Sequence, residues 1–319
     1  MRAGCTAFWL NGREMPADVD GRALSEWCRE HLGALIAERV FTAGHLSAVY
    51  GLRLVDGREV VLKVRGGGAR LGSCMRVQRR MWEAGFCCPE PLAGPHRLGS
   101  AVASAEALLP AGEQPALQDA PRLFACLLAR LVECGAGLAP EPDLRPAPPW
   151  VCWYHEENGV WPVPDDRDTD LNAEHCKVTA WLDELGAAVR ERLGEIRDAA
   201  CVIGHGDWHG GNVRFLDGRP LAVHDWDSVL YEPEVVIAGQ AAAVFQDART
   251  GGGASAGQNG AFLEAYQSAR ERAFSKAELQ LCWAAGLWVL AFNAKKFHLD
   301  GFDVLGRAEA ESRMRLAGI

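Results

Sequence analysis

The chain of 319 residues has no basic surplus: 33 Lys and Arg stand against 42 Asp and Glu, a formal net charge of −9. That balance argues against a nucleic-acid backbone as the main partner, because tracking phosphates needs a basic face. A local basic pocket for a nucleotide is still compatible with it. Long apolar runs are also missing. The best candidate, LCWAAGLWVLAF from Leu281 to Phe292, falls short of the roughly 18–20 residues a membrane span needs and reads as a buried helix. The apolar patch that ends at Leu10, before Asn11, Gly12 and Arg13, is too short for a signal peptide. The expectation is a cytoplasmic protein with no membrane partner. Cysteine is plentiful, at eleven residues, but without pattern. There is no C-x-x-C, and adjacent Cys87 and Cys88 cannot easily supply two ligands to one tetrahedral site. Reduced thiols packed as small hydrophobes are expected rather than a zinc framework or a disulfide scaffold. No internal repeat is present.

What is there divides into two styles. AVYGLRLV and EVVLKVR flank Asp56-Gly57, a hairpin signal because both turn residues tolerate positive φ. An earlier strand over 38–42 would precede them, which makes AGHLS a tight loop between two antiparallel strands. The helical spacing of Met75, Gln78, Met81 and Trp82 follows, closed by Gly85 and Pro89. SAEALLPAGEQP then reads as a strand running into a hinge. Beyond it the pattern turns helical, first with Leu123, Phe124, Leu127, Leu128, Leu131 and Val132 on one face. Residues 135–170 interrupt this with seven Pro, three Trp and the acidic run DDRDTD, a stretch long enough to be a functional lid or an Ω-like insertion. Helical patterning fills most of the rest.

The densest chemistry lies in VIGHGDWHGGNVRF, from Val202 to Phe215, and in LAVHDWDS after it. VRFL and LAVH look like a hairpin turning on Asp217-Gly218. Asp207 and Asn212 would enter that hairpin and Asp225 would leave it, so three oxygen-bearing side chains converge. Hard oxygen ligands suit Mg²⁺, which also takes water and substrate phosphate, and a carboxylate left off the metal can orient a hydroxyl. This is the D-x-x-x-x-N…D arrangement of kinase-type phosphoryl transfer. Lys63, in VVLKV, has apolar neighbours on both sides. Burial is therefore expected, and a buried Lys needs an anion.

HGDWHGGN together with HDWD resembles the aminoglycoside phosphotransferase and choline kinase family, which carries H-G-D-x-x-x-x-N and I-D-[WF]-[DE] on a protein-kinase-like fold. The likeness runs over nearly the whole chain. It implies an α+β fold of two lobes: a small antiparallel β-rich N-lobe over 1–109, and a larger, mainly helical C-lobe over 110–319 with the catalytic loop and acceptor pocket. By position it makes Asp207 the catalytic base and Asn212 and Asp225 the magnesium ligands. Lys63 would pair with the α/β-phosphates, Gly44 to Ser47 would cover the phosphates, and backbone near Ala105, Ala107 and Leu108 would meet the nucleobase. His205 reads as loop support, His209 either as loop packing or as a contact to the γ-phosphate or acceptor, and Asp227 as a supporting acid.

Three departures stand out. AGHLSA lacks the fuller Gly-rich pattern, and His224 stands where an apolar residue is usual. The helix after Lys63 puts Cys74, Val77 and Gln78 where the family offers a Glu, so Gln78 or a backbone group is expected to steady Lys63. Only WDSVLYEPE follows Asp225 before the next helix, which leaves no long activation segment of the protein-kinase kind. The resemblance therefore implies a small-molecule O-phosphotransferase that uses Mg²⁺ and ATP or GTP. The leading acceptor is a hydroxylated, antibiotic-like natural product, in resistance or self-protection. A kinase of choline, a sugar or an amino alcohol comes next, and an inactive nucleotide-binding regulator last. Trp153 and Trp161, with Asp165 and Asp166, are the expected acceptor residues, the acids either attracting a cation or lying in a solvated loop.

Overall fold

The computed structural model describes residues 19–319 except 45, 139–140, 157, 168, 174–177, 197–198 and 247–252. It opens with helix α1 (Gly21–Leu32), which Asp20 caps by accepting from the Arg22 N–H, and which ends at Gly33 in the left-handed conformation. Five antiparallel strands follow: β1 (Ile36–Gly44), β2 (Ala48–Leu54), β3 (Glu59–Arg65), β4 (Pro91–Leu98) and β5 (Ala101–Ala107), in spatial order β1-β2-β3-β5-β4. Period-2 alternation sorts β3 into two faces. Val60, Leu62 and Val64 are buried with α1's Leu24 and Trp27 in one core, which leaves Val61, Lys63 and Arg65 on the other face. Positive φ is adopted at Gly57 and not at Asp56, and Leu54 and Arg58 close the turn, the Leu54 N–H donating to the Arg58 carbonyl at 2.9 Å, so the first Asp-Gly sits in a three-residue loop.

Helix α2 (Ala69–Glu83) joins β3 to β4. Its buried Cys74, Val77 and Met81 belong to the second core, the one built by the helical part of the chain. Arg70 near its start donates to the carbonyls of Leu144 (3.0 Å), Pro146 (3.2 Å) and Val229. α2 also reaches the sheet, with Gln78 donating to Glu106 and Arg79 to the Pro91 carbonyl, so it packs on both parts.

The helical part comprises α3 (Ala120–Gly135), α4 (Ala180–Gly194), α5 (Glu234–Val244), α6 (Ala256–Ala269), α7 (Lys276–His298) and α8 (Arg307–Ala317). Leu281–Phe292 lies inside α7, with Leu287 and Trp288 wholly buried, and among the described residues no helix is long and apolar enough to cross a membrane. α5 and α7 meet backbone to backbone: a Cβ on Gly239 would stand 2.1 Å from the Cys282 carbonyl oxygen. Two small ladders complete the architecture, β6 (Cys201–His205) with β9 (Val229–Pro233) and β7 (Val213–Leu216) with β8 (Arg219–Val223). Here Asp217 (φ 50°) and Gly218 (φ 69°) both take positive φ, the two-residue turn expected. The nine described cysteines are free thiols.

Candidate active site

The 206–212 loop links β6 to β7 and is pinned from beneath. Trp208 is wholly buried, and its indole N–H donates to the Phe124 carbonyl at 3.2 Å. Its neighbours Asp207 and His209 are consequently turned outward. Gly206 donates to the Ser228 carbonyl at 2.7 Å, and a Cβ there would meet Leu230 at 2.8 Å. Hairpin register does the rest. Val213 pairs with Val223, and the His224 N–H donates to the Asn212 carbonyl at 2.8 Å, so Asn212 and Asp225 sit side by side at the open end of one hairpin. Asp225 takes φ 60°, ψ 53°, a conformation a non-glycine residue adopts at a cost and one that recurs at functional sites.

Both oxygens of Asp207 are held. Asn212 Nδ2 donates to Oδ2 at 2.7 Å and His209 Nε2 faces Oδ1 at 3.2 Å. Burial pushes the Asp207 carboxyl up, but the hydrogen bonds from His209 and Asn212 outweigh it and hold the group below the ordinary carboxylate range. His205 supports the loop: Nδ1 accepts from the Asp207 N–H at 3.2 Å and Nε2 reaches the His224 carbonyl at 3.0 Å. Burial lowers its pKa, so the ring is neutral.

On the sheet side, Lys63 Nζ lies 3.2 Å from Glu106 Oε1 and 4.0 Å from Asp225 Oδ1. This corrects the expectation for Gln78. An acid from β5 steadies the lysine, while Gln78 Nε2 donates to Glu106 Oε2 and to the Pro89 carbonyl, both at 3.0 Å. The missed signal was alternation in AVASAEA. Ser104 pairs with Lys63 and Glu106 with Val61, which puts Ser104 and Glu106 on the face that carries Lys63. Burial raises the Glu106 carboxyl, but the Lys63 charge and the Gln78 bond leave it below its usual range. Arg65, two residues on and on the same face, pairs with Asp227 and donates to Ser104 Oγ at 3.0 Å.

The paired lysine of the sheet thus stands 4.0 Å from Asp225, which lies beside the bonded Asp207 and Asn212 of the catalytic loop. A model of the Phosphotransferase enzyme family matches residues 38–276. The chain belongs to that family. It is a small-molecule phosphotransferase, a kinase whose acceptor is an alcohol group. Solved structures share the fold at low identity. Amicoumacin kinase hAmiN, in complex with AMP-PNP, Ca²⁺ and Ami, has a TM-score of 0.62 and 13% identity over 94% of this chain and 92% of that one. A putative fructosamine-3-kinase from Thermobifida fusca YX-ER1 has a TM-score of 0.55 and 14% identity over 92% and 98%. Spectinomycin phosphotransferase APH(9)-Ia, in complex with ADP and spectinomycin, has a TM-score of 0.54 and 15% identity over 95% and 94%. No curated protein matches the chain in sequence.

The remaining expected residues of this phosphotransferase fall out differently. Gly44 closes β1 at φ 157°, where a Cβ would lie 2.2 Å from the Ser47 carbonyl oxygen, so the turn into β2 requires glycine. His45 lies outside the described residues. At the expected hinge, Ala105 sits inside the ladder between β3 and β4, the Ala107 N–H donates to the Glu90 carbonyl at 2.9 Å, and that of Leu108 to Glu59 at 3.0 Å. Those two donors are committed to the protein. The next backbone N–H is that of Leu109, since Pro110 has none.

The acceptor expectation also changes. Trp161 is wholly buried, stacked on Trp288 with ring centroids 5.3 Å apart, and its indole donates to Asp183 at 2.6 Å. Trp153 is buried in the same core. Both are packing residues. Asp166 pairs with Lys296 at 3.0 Å, Asp165 is exposed, and Asp168 lies outside the described residues. From the same aromatic stretch it is half-buried Trp150 that reaches the catalytic loop, its indole donating to the Gly206 carbonyl at 3.0 Å.

Proposed function

We propose that this phosphotransferase moves the γ-phosphoryl of ATP or GTP to a hydroxyl of an antibiotic-like natural product, with Mg²⁺ held by Asn212 and Asp225. The observation that carries the reading is the convergence of Asp207, Asn212 and Asp225 opposite Lys63. The donor set fits magnesium. The amide nitrogen of Asn212 is turned to Asp207, which leaves its oxygen for the ion beside the Asp225 carboxylate, with water and phosphate filling other positions. Bound there, the ion would neutralise charge on the phosphates.

Asp207 would accept a hydrogen bond from the acceptor hydroxyl and aim its oxygen at the γ-phosphorus. A weakly basic carboxylate suits that task, because a loose transition state asks for positioning more than for early proton removal. The antibiotic class is favoured by the solved kinases of similar fold that hold Ami and spectinomycin. A sugar-type acceptor is the second reading, favoured by the fructosamine-3-kinase likeness. The test incubates the protein with each nucleotide, Mg²⁺ and a panel of hydroxylated antibiotics, aminated sugars and choline. A mass gain of one phosphate on an antibiotic, absent with Asp207→Asn, is expected. Gain only on a sugar or on choline would replace the acceptor class.

A further inference from the structure

We propose that Glu106 is the positioning residue for Lys63, and that this phosphotransferase therefore carries on the sheet the acid that orients its phosphate-binding lysine. The proposal rests on the nucleotide-binding reading of Lys63 given above.

The geometry begins with strand register. Because Lys63 faces Ser104 and Val61 faces Glu106, Lys63 and Glu106 are diagonal neighbours on one face of the β3–β5 pair, a separation that two long side chains can bridge. They meet at 3.2 Å with side-chain exposures of only 11% and 9%. A pair so far from water must have its remaining lone pairs satisfied. Gln78 does this, giving one N–H to Glu106 Oε2 and the other to the Pro89 carbonyl. Glu106 thus has one oxygen on Lys63 and one on Gln78. It acts on the nucleotide only through the ammonium it orients.

The placement has a consequence. α2 is docked on the helical part through Cys74, Val77, Met81 and Arg70. An acid on α2 would tie the lysine to that body, and any slip between sheet and helices would pull the pair apart. An acid on β5 is held in register with β3, so the Lys63–Glu106 contact is made within one sheet. Gln78 then serves to satisfy the carboxylate and is not itself the orienting group.

The test measures calorimetric affinity for an Mg²⁺-loaded non-hydrolysable nucleotide, together with kcat and nucleotide KM, in the wild type, Glu106→Gln, Glu106→Asp and Gln78→Met. Thermal melts accompany each. Glu106→Gln is expected to weaken nucleotide affinity and lower kcat by about tenfold or more each, the range found when an outer partner of a binding group is removed. Glu106→Asp, which keeps the charge, recovers part of the loss. Gln78→Met lowers the melting temperature and costs less affinity than Glu106→Gln, because Lys63 keeps its carboxylate partner. Lys63→Met combined with Glu106→Gln adds nothing to Lys63→Met alone, as non-additivity requires of two residues in one unit. Near wild-type affinity in Glu106→Gln, losses in Gln78→Met as large as in Glu106→Gln, or additive losses in the double variant would each overturn the assignment. If Glu106→Gln does not fold, an Asp variant no better than Lys63→Met overturns it too. Absence of nucleotide binding by the wild type is a separate outcome and removes the phosphotransferase reading of the site itself.

Discussion

His209 donates a hydrogen bond to Asp207. Its Nδ1 accepts from the Gly211 N–H at 2.9 Å, so in the neutral ring the hydrogen sits on Nε2, the atom 3.2 Å from Asp207 Oδ1. With Asn212 on the other oxygen, the carboxylate is fixed in plane and direction before any acceptor arrives. Asp207→Asn is expected to fold and bind nucleotide while losing transfer by roughly 10²–10⁴-fold, the contribution of a positioned acid–base group. Single-turnover transfer measured beside nucleotide affinity checks this, and near wild-type turnover would remove Asp207 from its role. His209→Ala frees one oxygen and should cost kcat, with nucleotide affinity unmoved.

Asp225 is the only charged member of the metal pair proposed with Asn212. Asp225→Ala should abolish the Mg²⁺-dependent part of nucleotide affinity, read by calorimetry with and without the ion. Its backbone at φ 60° gives a second readout. Asp225→Gly relieves that conformation and is expected to be as inactive as the Ala variant but more stable to urea, since glycine adopts positive φ without strain. Equal metal dependence in wild type and variants would place the ion elsewhere.

His205 and His224 set the response to acid. Burial depresses both pKa values, although neighbouring carboxylates oppose it. The unfolded chain takes up these protons near pH 6.5, the folded chain only at lower pH, so between the two the unfolded state holds more protons and stability falls as pH falls. Each ring contributes a slope of up to about 1.4 kcal/mol per pH unit in that window. Glu106 and Asp207, also depressed, extend the loss below the ordinary carboxylate range. Urea titrations from pH 8 to pH 5 should show the decline, with His224→Leu flattening it by one group. A flat profile in the wild type would contradict the neutral, buried assignment.

Legibility differed between local and cross-strand features. Asp207, Asn212 and Asp225 could be read from the sequence because one hairpin brings them together, and the Asp217-Gly218 turn fixes its length. Glu106 could not be found by scanning α2 for an acid, since its partnership with Lys63 depends on β5 lying beside β3, a non-consecutive pairing. The bonds made by the hinge N–H groups are hidden for a similar reason. Ala107 and Leu108 bond to Glu90 and Glu59, residues that only the folded sheet edge brings near. The aromatic stretch misled because Pro and Trp density marks a packed insertion as well as a binding one. Trp161 needed α4's Gly186 beneath it, where a Cβ would stand 2.5 Å from the indole, and nothing local reveals that contact.

That distinction between Trp161 and Trp150 yields the last prediction. Trp161 is wholly buried against Trp288, and its indole is bonded to Asp183. Trp161→Ala should therefore cost about 3–5 kcal/mol of stability, the range for emptying a large aromatic site, while molecules that remain folded keep their acceptor KM. Trp150 is half-buried and touches the loop carbonyl one residue before Asp207. Trp150→Phe keeps a ring but leaves the Gly206 carbonyl without its donor, a loss of about 1–3 kcal/mol if no water replaces it. Because that carbonyl borders the catalytic carboxylate, the variant should lower kcat for acceptor phosphorylation more than it lowers nucleotide affinity. Melting curves and acceptor kinetics on the two variants separate the roles. If Trp161→Ala changes acceptor KM in folded protein, or Trp150→Phe leaves kcat untouched, the division between a packing tryptophan and a loop-supporting one is wrong.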